Sequence, residues 1–375
     1  MGMKVYIGKD GVAKSVKAIY VGVNGVAKCI MRPSGIYKYY GNIKELCTAK
    51  RAMAAVTIGN YALFGGGRDA GNYNYFSSVD AYNTSLTRTT ATDLSEASGY
   101  LAAATIGNYA LFAGGTNGKA NLSSVNAYNT SLTRTTPASL SEIKNNCATA
   151  TIGNYALFGG GGTYGKYAST VVDAYDSSLT RTTATDLSEA RAEFAATTVG
   201  NYALFGGGMS SNSTYNSSVD AYNTSLIRTT ATSLSIVNSS FAATTVGNYA
   251  LFGGGSYFDK SSKSYILLSS VDAYDSSLTR TTATGLSKDR YDLVATTVGN
   301  YALFGGGKCK GGGIKWEYAS IVDAYNASLT RTTTTGLSEG VTNFAATTVG
   351  NYALFGGGEN NGCSSKVEAY YEDKD

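Results

Sequence analysis

Seven near-identical copies of one phrase run through this chain: Gly-Asn-Tyr-Ala-Leu-Phe opens at Gly59, Gly107, Gly153, Gly200, Gly247, Gly299 and Gly350. Their spacings of 48, 46, 47, 47, 52 and 51 residues fall in the range of four-stranded propeller blades, and no helical solenoid has this strand chemistry. The expected fold is all-β, a seven-bladed β-propeller.

A second series, Val-Asp-Ala-Tyr or a close variant, ends at Tyr82, Tyr128, Tyr175, Tyr222, Tyr274, Tyr325 and Tyr370. From each of the first six tyrosines to a leucine (Leu94, Leu140, Leu187, Leu234, Leu286, Leu337) is always 12 residues, and from that leucine to the next glycine of the phrase always 13. All length variation lies between the Phe of Ala-Leu-Phe and the Val of Val-Asp-Ala-Tyr, where the separation runs from 12 to 19. One loop per repeat therefore carries every insertion.

Blade 4 shows how the repeat becomes strands. Phe194–Val199 is a short β-branched run, Gly200-Asn201 a two-residue turn able to take positive φ, and Tyr202–Gly206 the returning strand. After the variable loop, Ser218–Tyr222 is strand three, Asn223-Thr224-Ser225 the reversal and Leu226–Thr232 strand four. Over residues 36 to 375 this pattern resembles the kelch repeat family: an apolar strand ending in Gly-Gly, a loop, a strand ending in Tyr, a turn and a fourth strand. It departs where a kelch repeat carries Trp, since Arg88, Arg134, Arg181, Arg228, Arg280 and Arg331 stand in strand four. A three-residue loop at Asn83-Thr84-Ser85 would place Tyr82 opposite Leu86 and Asp80 opposite Arg88, a cross-strand ion pair of about 0.2–1 kcal/mol. The same register would pair Asp173 with Arg181 and, in blade 2, Asn126 with Arg134. The arginine series then belongs to the architecture rather than to an anion site.

Blade 7 lacks a fourth strand after Tyr370. By alignment from Leu46, Lys38–Lys44 supplies it, with Tyr40 in the arginine position, so an N-terminal strand closes the ring and removes its open edges.

Residues 1–33 form a second unit, expected as two β-hairpins with Asp10-Gly11 and Asn24-Gly25 turns. Such hairpins bury too little to stand alone, so they pack on the ring (34–375), on copies of themselves in a homo-oligomer, or on a partner. Lys4, Lys9, Lys14, Lys17, Lys28 and Arg32 face a single Asp10, giving +5, while the rest of the chain carries −1 of the total +4. The lysines lie on both faces of the hairpins with no groove-reading helix or stacking platform, so no nucleic-acid partner is expected. The phrase Tyr20-Val21-Gly22-Val23-Asn24-Gly25-Val26-Ala27-Lys28 resembles short repeats of tail-associated proteins from phages of Firmicutes. That resemblance implies a bacteriophage tail component, made in the bacterial cytoplasm and carried in the virion, with residues 1–33 engaging other virion or assembly proteins.

The absence of histidine removes His-based triads, His-ligated zinc and the commonest general base. Carboxylate-only hydrolysis would need two acids on the channel face, where strand one offers Ala and Thr. The five cysteines are scattered outside the fixed positions and mark neither a disulfide framework nor a metal cluster. No catalytic residue, metal or cofactor is expected. Met1–Lys4 leads straight into a hairpin without a signal peptide, and no apolar run is long enough to span a membrane.

Function is expected where the sequence is free to vary. The loops between strands two and three hold Tyr73, Tyr75 and Phe76 in blade 1, Tyr164 and Tyr167 in blade 3, and Tyr215 in blade 4. Blade 5 contributes Tyr257, Phe258, Lys260 and Tyr265, and blade 6 contributes Lys308, Lys310, Trp316 and Tyr318. Because strands alternate in direction, all seven loops emerge on one face together with the links between blades. Tyrosine-rich variable loops on a rigid frame have the composition of a recognition surface. Gly311-Gly312-Gly313 would let Trp316 swing over a ligand. The expected ligand is a host-surface glycan or protein, and the competing reading is an intracellular kelch-type scaffold that gathers protein partners.

Overall fold

A computed structural model of the protein describes residues 19–23, 26–31, 36–71, 73–163, 167–311 and 315–373. Every regular element among them is a β-strand, and seven antiparallel four-stranded sheets form the blades of a propeller. Blade 4 consists of Ala195–Val199, Tyr202–Gly206, Val219–Tyr222 and Arg228–Ala231, paired in that order. The seven innermost strands surround a channel of about 330 Å³ lined by small residues such as Ala55, Ala104, Thr151 and Thr197. Small side chains there let the strands converge, and the threonines add links between blades: Thr149 Oγ1 donates to Ala103 O at 2.8 Å and Thr297 Oγ1 to Thr245 O at 2.7 Å.

Each blade locks onto the next through the repeated phrase. The Phe of Ala-Leu-Phe is buried and meets the Tyr of its own Val-Asp-Ala-Tyr edge to face, with centroids 5.8 Å apart for Phe64–Tyr82 and 5.5 Å for Phe205–Tyr222; such a pair adds about 0.5–1.5 kcal/mol beyond burial. That Phe also explains the first glycine of the run, since a Cβ on Gly65 would lie 2.8 Å from Phe112 of the next blade. In six of the blades the tyrosine hydroxyl donates to a carbonyl of the preceding inter-blade link, as Tyr82 does to Lys44 O at 2.7 Å and Tyr128 to Thr92 O at 2.7 Å.

The turn between strands three and four corrects the expected register. It holds three residues, but they are Thr84–Leu86, one position later than expected, so Tyr82 faces Arg88 and Asp80 faces Thr90. The cause is local. Asn83 Oδ1 accepts the N–H groups of Ser85 and Thr87 at 3.0 and 2.9 Å, and Leu86 takes a left-handed φ of 59°. Asp80 and Arg88 become diagonal neighbours on one face and remain paired, Arg88 Nη1 to Asp80 Oδ1 at 2.7 Å. Arg181–Asp173, Arg228–Asp220, Arg280–Asp272 and Arg331–Asp323 repeat the pair at 2.8–3.1 Å.

The same carboxylate has a second cation that the sequence reading missed. Lys50, Lys144, Arg191 and Arg290 come from the links ahead of blades 1, 3, 4 and 6, and their side chains are fully buried against Asp80, Asp173, Asp220 and Asp323. Burial pulls Lys50, Arg191 and Arg290 below their ordinary pKa, while the neighbouring carboxylates act in the opposite direction. The link also supplies a backbone donor: Cys47, Ser188, Ser235 and Ser287 N–H groups reach Asp80, Asp220, Asp272 and Asp323 at 2.9–3.1 Å.

Ring closure occurs as expected. Ile36–Asn42 pairs with Val367–Asp373 as the outer strand of blade 7. A bulge at Tyr40 shifts the alignment, so Tyr39 rather than Tyr40 faces Tyr370 in the arginine register. Tyr39 Oη donates to Glu368 Oε2 at 2.6 Å, and Ser338 completes the carboxylate's donors through N–H and Oγ; Tyr40 is exposed. Ahead of the ring, Ile19–Val23 pairs with Val26–Met31 as an antiparallel hairpin. The expected first hairpin with its Asp10-Gly11 turn, and the turn positions 24–25 of the second, lie outside the described residues.

Deleting residues 1–46 removes the closing strand and bares the edge of Val367–Asp373, so that protein is expected to aggregate or stay unfolded, whereas deletion of 1–33 leaves a folded ring. Thermal melting of the two truncations distinguishes them; equal melting temperatures contradict the closure role.

Candidate functional site

The strand two-to-three loops and the inter-blade links share one face and are bonded to each other. In blade 1, Gly67 N–H donates to Ser98 O at 2.7 Å, Leu94 N–H to Ser77 O at 2.8 Å and Ser98 N–H to Phe76 O at 3.1 Å. Gly67 sits at φ 103°, and a Cβ there would press on Arg51 O at 2.9 Å, so only glycine fits this join.

Two residues before each innermost strand, one residue per blade takes a left-handed backbone: Ala52, Tyr100, Asn146, Glu193, Ser240, Asp292 and Asn343, with φ between 47° and 56°. Their main chains join around the ring. Tyr100 N–H donates to Ala52 O at 2.8 Å, Asn146 to Tyr100 at 3.0 Å, Ser240 to Glu193 at 3.0 Å, Asp292 to Ser240 at 2.8 Å and Ala52 to Asn343 at 2.9 Å. These bonds span five of the seven junctions, and the seven positions mark the mouth of the channel on the variable-loop face. None of the seven is glycine, although non-glycine residues adopt this conformation at a cost of about 1–3 kcal/mol unless the surroundings hold them. The sequence did contain the signal: within a segment of invariant length this sixth position after the leucine changes in almost every blade.

The residues that line the channel are Ala, Val and Thr, as expected, and the nearest acids belong to this set of positions ahead of strand one. Glu193 and Asp292 stand at the mouth with Ser240 between them, Ser240 Oγ donating to Glu193 Oε2 at 3.4 Å. Burial raises both carboxyl pKa values, Asp292 to about 6, with the Glu193 charge adding to the rise and Lys308 opposing it. The blade 1 side of the mouth is basic. Arg68 is buried, lies over the rings of Tyr73 and Tyr100 at 4.9 and 5.4 Å, and donates to Tyr100 Oη at 3.0 and 3.2 Å. Arg51 is ion-paired with Glu359 of blade 7.

The sequence-selected residues divide between these two sides. Tyr73 is exposed and Tyr75 half-buried, both beside Arg68. Tyr164 lies outside the described residues, and Tyr167 is described in its backbone, paired with Thr163 in a short hairpin. The others gather over blades 4–6. Tyr215 meets Tyr257 at 6.4 Å, Phe258 meets Tyr265 at 5.3 Å, and Trp316 packs edge-on against Tyr291 at 5.7 Å. Lys308 Nζ lies 5.5 Å over Tyr318, Lys310 Nζ donates to Tyr265 O at 3.1 Å, and Lys260 is exposed at the blade 5 hairpin tip. Trp316 is not on a freely swinging loop: Trp316–Tyr318 is a strand paired with Lys308–Lys310, while Gly312 and Gly313 lie outside the described residues. Tyr291 was missed because it sits in a link of fixed length.

No family model matches the sequence, and no curated protein matches it. Among solved structures, the chain is similar to one titled "Structure of YjhT", with a TM-score of 0.60 and 13% identity over 78% of this chain and 99% of that one. At that identity the likeness shows a shared fold.

The raised Asp292 pKa fixes a pH dependence. The folded state holds this proton more tightly than the unfolded chain, whose Asp titrates near 3.8, so the contribution is fully present below about pH 4 and is lost as pH rises through about 6. Asp292→Asn is therefore expected to gain stability relative to the parent between pH 4 and 6.5, measured by urea unfolding; a difference independent of pH contradicts the assignment.

Proposed function

We propose that this protein is a non-enzymatic binding protein that recognises a host-surface glycan or protein through the variable-loop face, in the sector of blades 4–6. The observation that carries the reading is the contiguity of the aromatic side chains there. Phe258 and Tyr265 from the blade 5 insertion and Trp316 from the blade 6 insertion remain substantially exposed on hairpins, and the two hairpins are tied together by the Lys310–Tyr265 bond. Exposed aromatic rings held by neighbours lose little entropy on binding and are the usual anchors of recognition surfaces.

The finer reading is a tail-associated component of a bacteriophage or prophage. It is supported by the N-terminal repeat Tyr20–Lys28 and by the polarity of the ring. The closing strand runs toward the loop face, so the chain enters the ring at Ile36 on the opposite face. An N-terminal unit tethered there leaves the recognition loops unobstructed, as an anchor and a head require.

Trp316→Ala is expected to weaken attachment of the full-length protein to host cells or cell-wall fragments by about 1–3 kcal/mol, with little change in melting temperature. Unaltered attachment would move the site elsewhere, and a large loss of stability would make Trp316 a packing residue.

A further inference from the structure

We propose that the surface shared by the blade 5 and blade 6 hairpins takes an anionic sugar polymer. This rests on the loop-face reading above and names its ligand. In the blade 6 hairpin Lys308 faces Tyr318 and Lys310 faces Trp316, and because alternate residues of a strand share a side, these two lysines and two aromatic residues project from one surface. Phe258 faces Tyr265 across the blade 5 hairpin. Lys310 Nζ reaches the Tyr265 carbonyl at 3.1 Å and makes the two hairpins one platform. Trp316 is 44% exposed, Phe258 37% and Tyr265 50%. With that much surface exposed, the rings offer aromatic area between polar groups, which suits the C–H face of a pyranose.

Charge selects among sugars. The segments Ser256–Leu268 and Lys308–Tyr318 carry Lys260, Lys263, Lys308, Lys310 and Lys315 against Asp259 and Glu317, a balance of +3. Asp259 is engaged by its own turn, accepting from Ser261 N–H and Oγ at 3.0 and 2.8 Å. Glu317 lies on the other side of its strand, 3.8 Å from Lys288. None of the five lysines enters an ion pair among the described residues. Lys308 acts on Asp292, but a neutral glycan would leave Lys260, Lys263, Lys310 and Lys315 uncompensated, whereas a polymer carrying one phosphate or carboxylate per sugar unit would pair with them along the platform. The cations are all lysine, point charges on flexible stems that follow a mobile polymer, with no arginine fork set for one fixed carboxylate.

The test measures binding of the full-length protein to four immobilised probes: a glycosylated polyol-phosphate polymer, polygalacturonate, inorganic polyphosphate and neutral dextran. Expected are binding to at least one of the two anionic sugar polymers, no binding to dextran, and weaker binding to sugar-free polyphosphate. Raising salt from about 50 to about 300 mM should weaken the complex at least about fivefold. Trp316→Ala should weaken it about tenfold, and joint Lys260→Gln and Lys310→Gln substitution should flatten the salt dependence, both at unchanged melting temperature. Equal binding to dextran, salt-independent binding, binding equal to polyphosphate, or attachment only to a protein on the same wall fragments would overturn the anionic-glycan inference while the loop-face reading stands. If neither Trp316→Ala nor Phe258→Ala affects any binding, including attachment to wall fragments, both readings fall.

Discussion

The structure depends on a buried carboxylate in six of its seven blades. Asp80, Asp173, Asp220, Asp272, Asp323 and Glu368 occupy the same place in strand three, almost or fully inaccessible, and each binds the link arriving from the blade before it. A buried charge without partners would be prohibitive, so each is surrounded: an arginine or Tyr39 from strand four, a Ser or Cys N–H from the link and, in four blades, a second cation with no exposed side-chain surface. The variations are coherent. Blade 2 has Asn126 in place of the carboxylate and Ser98 in place of the buried cation, and blade 7 has Glu368 with Val341 at the cation position and neutral donors throughout. Where the positive partner is absent, the negative charge is either removed or satisfied by hydroxyl and amide hydrogen.

This constraint explains the arithmetic of the sequence. The 12- and 13-residue separations are invariant because the link must bring the leucine, the Ser N–H and the buried cation to the next blade in register. The same link continues into the left-handed positions at the channel mouth, whose main-chain bonds fix its length while their half-buried side chains are not held to one residue type. Hence one segment combines a rigid length with the freely changing Ala52, Tyr100, Asn146, Glu193, Ser240, Asp292 and Asn343. The strand two-to-three loops have neither restriction, and blades 5 and 6 use that freedom to raise two extra hairpins.

Blade number, strand order, the closing strand and the sidedness of the loops were legible because they follow from repeat spacing and strand alternation. The turn lay one residue later than expected, which moved the pairing by two residues, since Asn83 Oδ1 stabilises a left-handed Leu86 that spacing alone does not reveal, and the bulge at Tyr40 displaced the closing tyrosine for a similar local reason. Lys50, Lys144, Arg191 and Arg290 were unread because they occur in four blades of seven and look like surface charges in a link. For the candidate site, the aromatic insertions were visible as residues, but their partners Tyr291 and the Glu193–Ser240–Asp292 arc lie in the constant segment, where length conservation concealed side-chain variety.

The most direct measurement is a double-mutant cycle at the blade 3–4 junction, with Asp220→Asn, Arg191→Ser and the two combined, read by urea unfolding. The pair reproduces the Asn126 and Ser98 found naturally in blade 2. If the buried carboxylate and its link cation hold the blades together, each single change costs about 3–5 kcal/mol, and the double change costs less than their sum by about 1–3 kcal/mol. Single changes within about 0.5 kcal/mol of the parent, or strict additivity, would show that the blades are joined by apolar packing alone and would contradict this account.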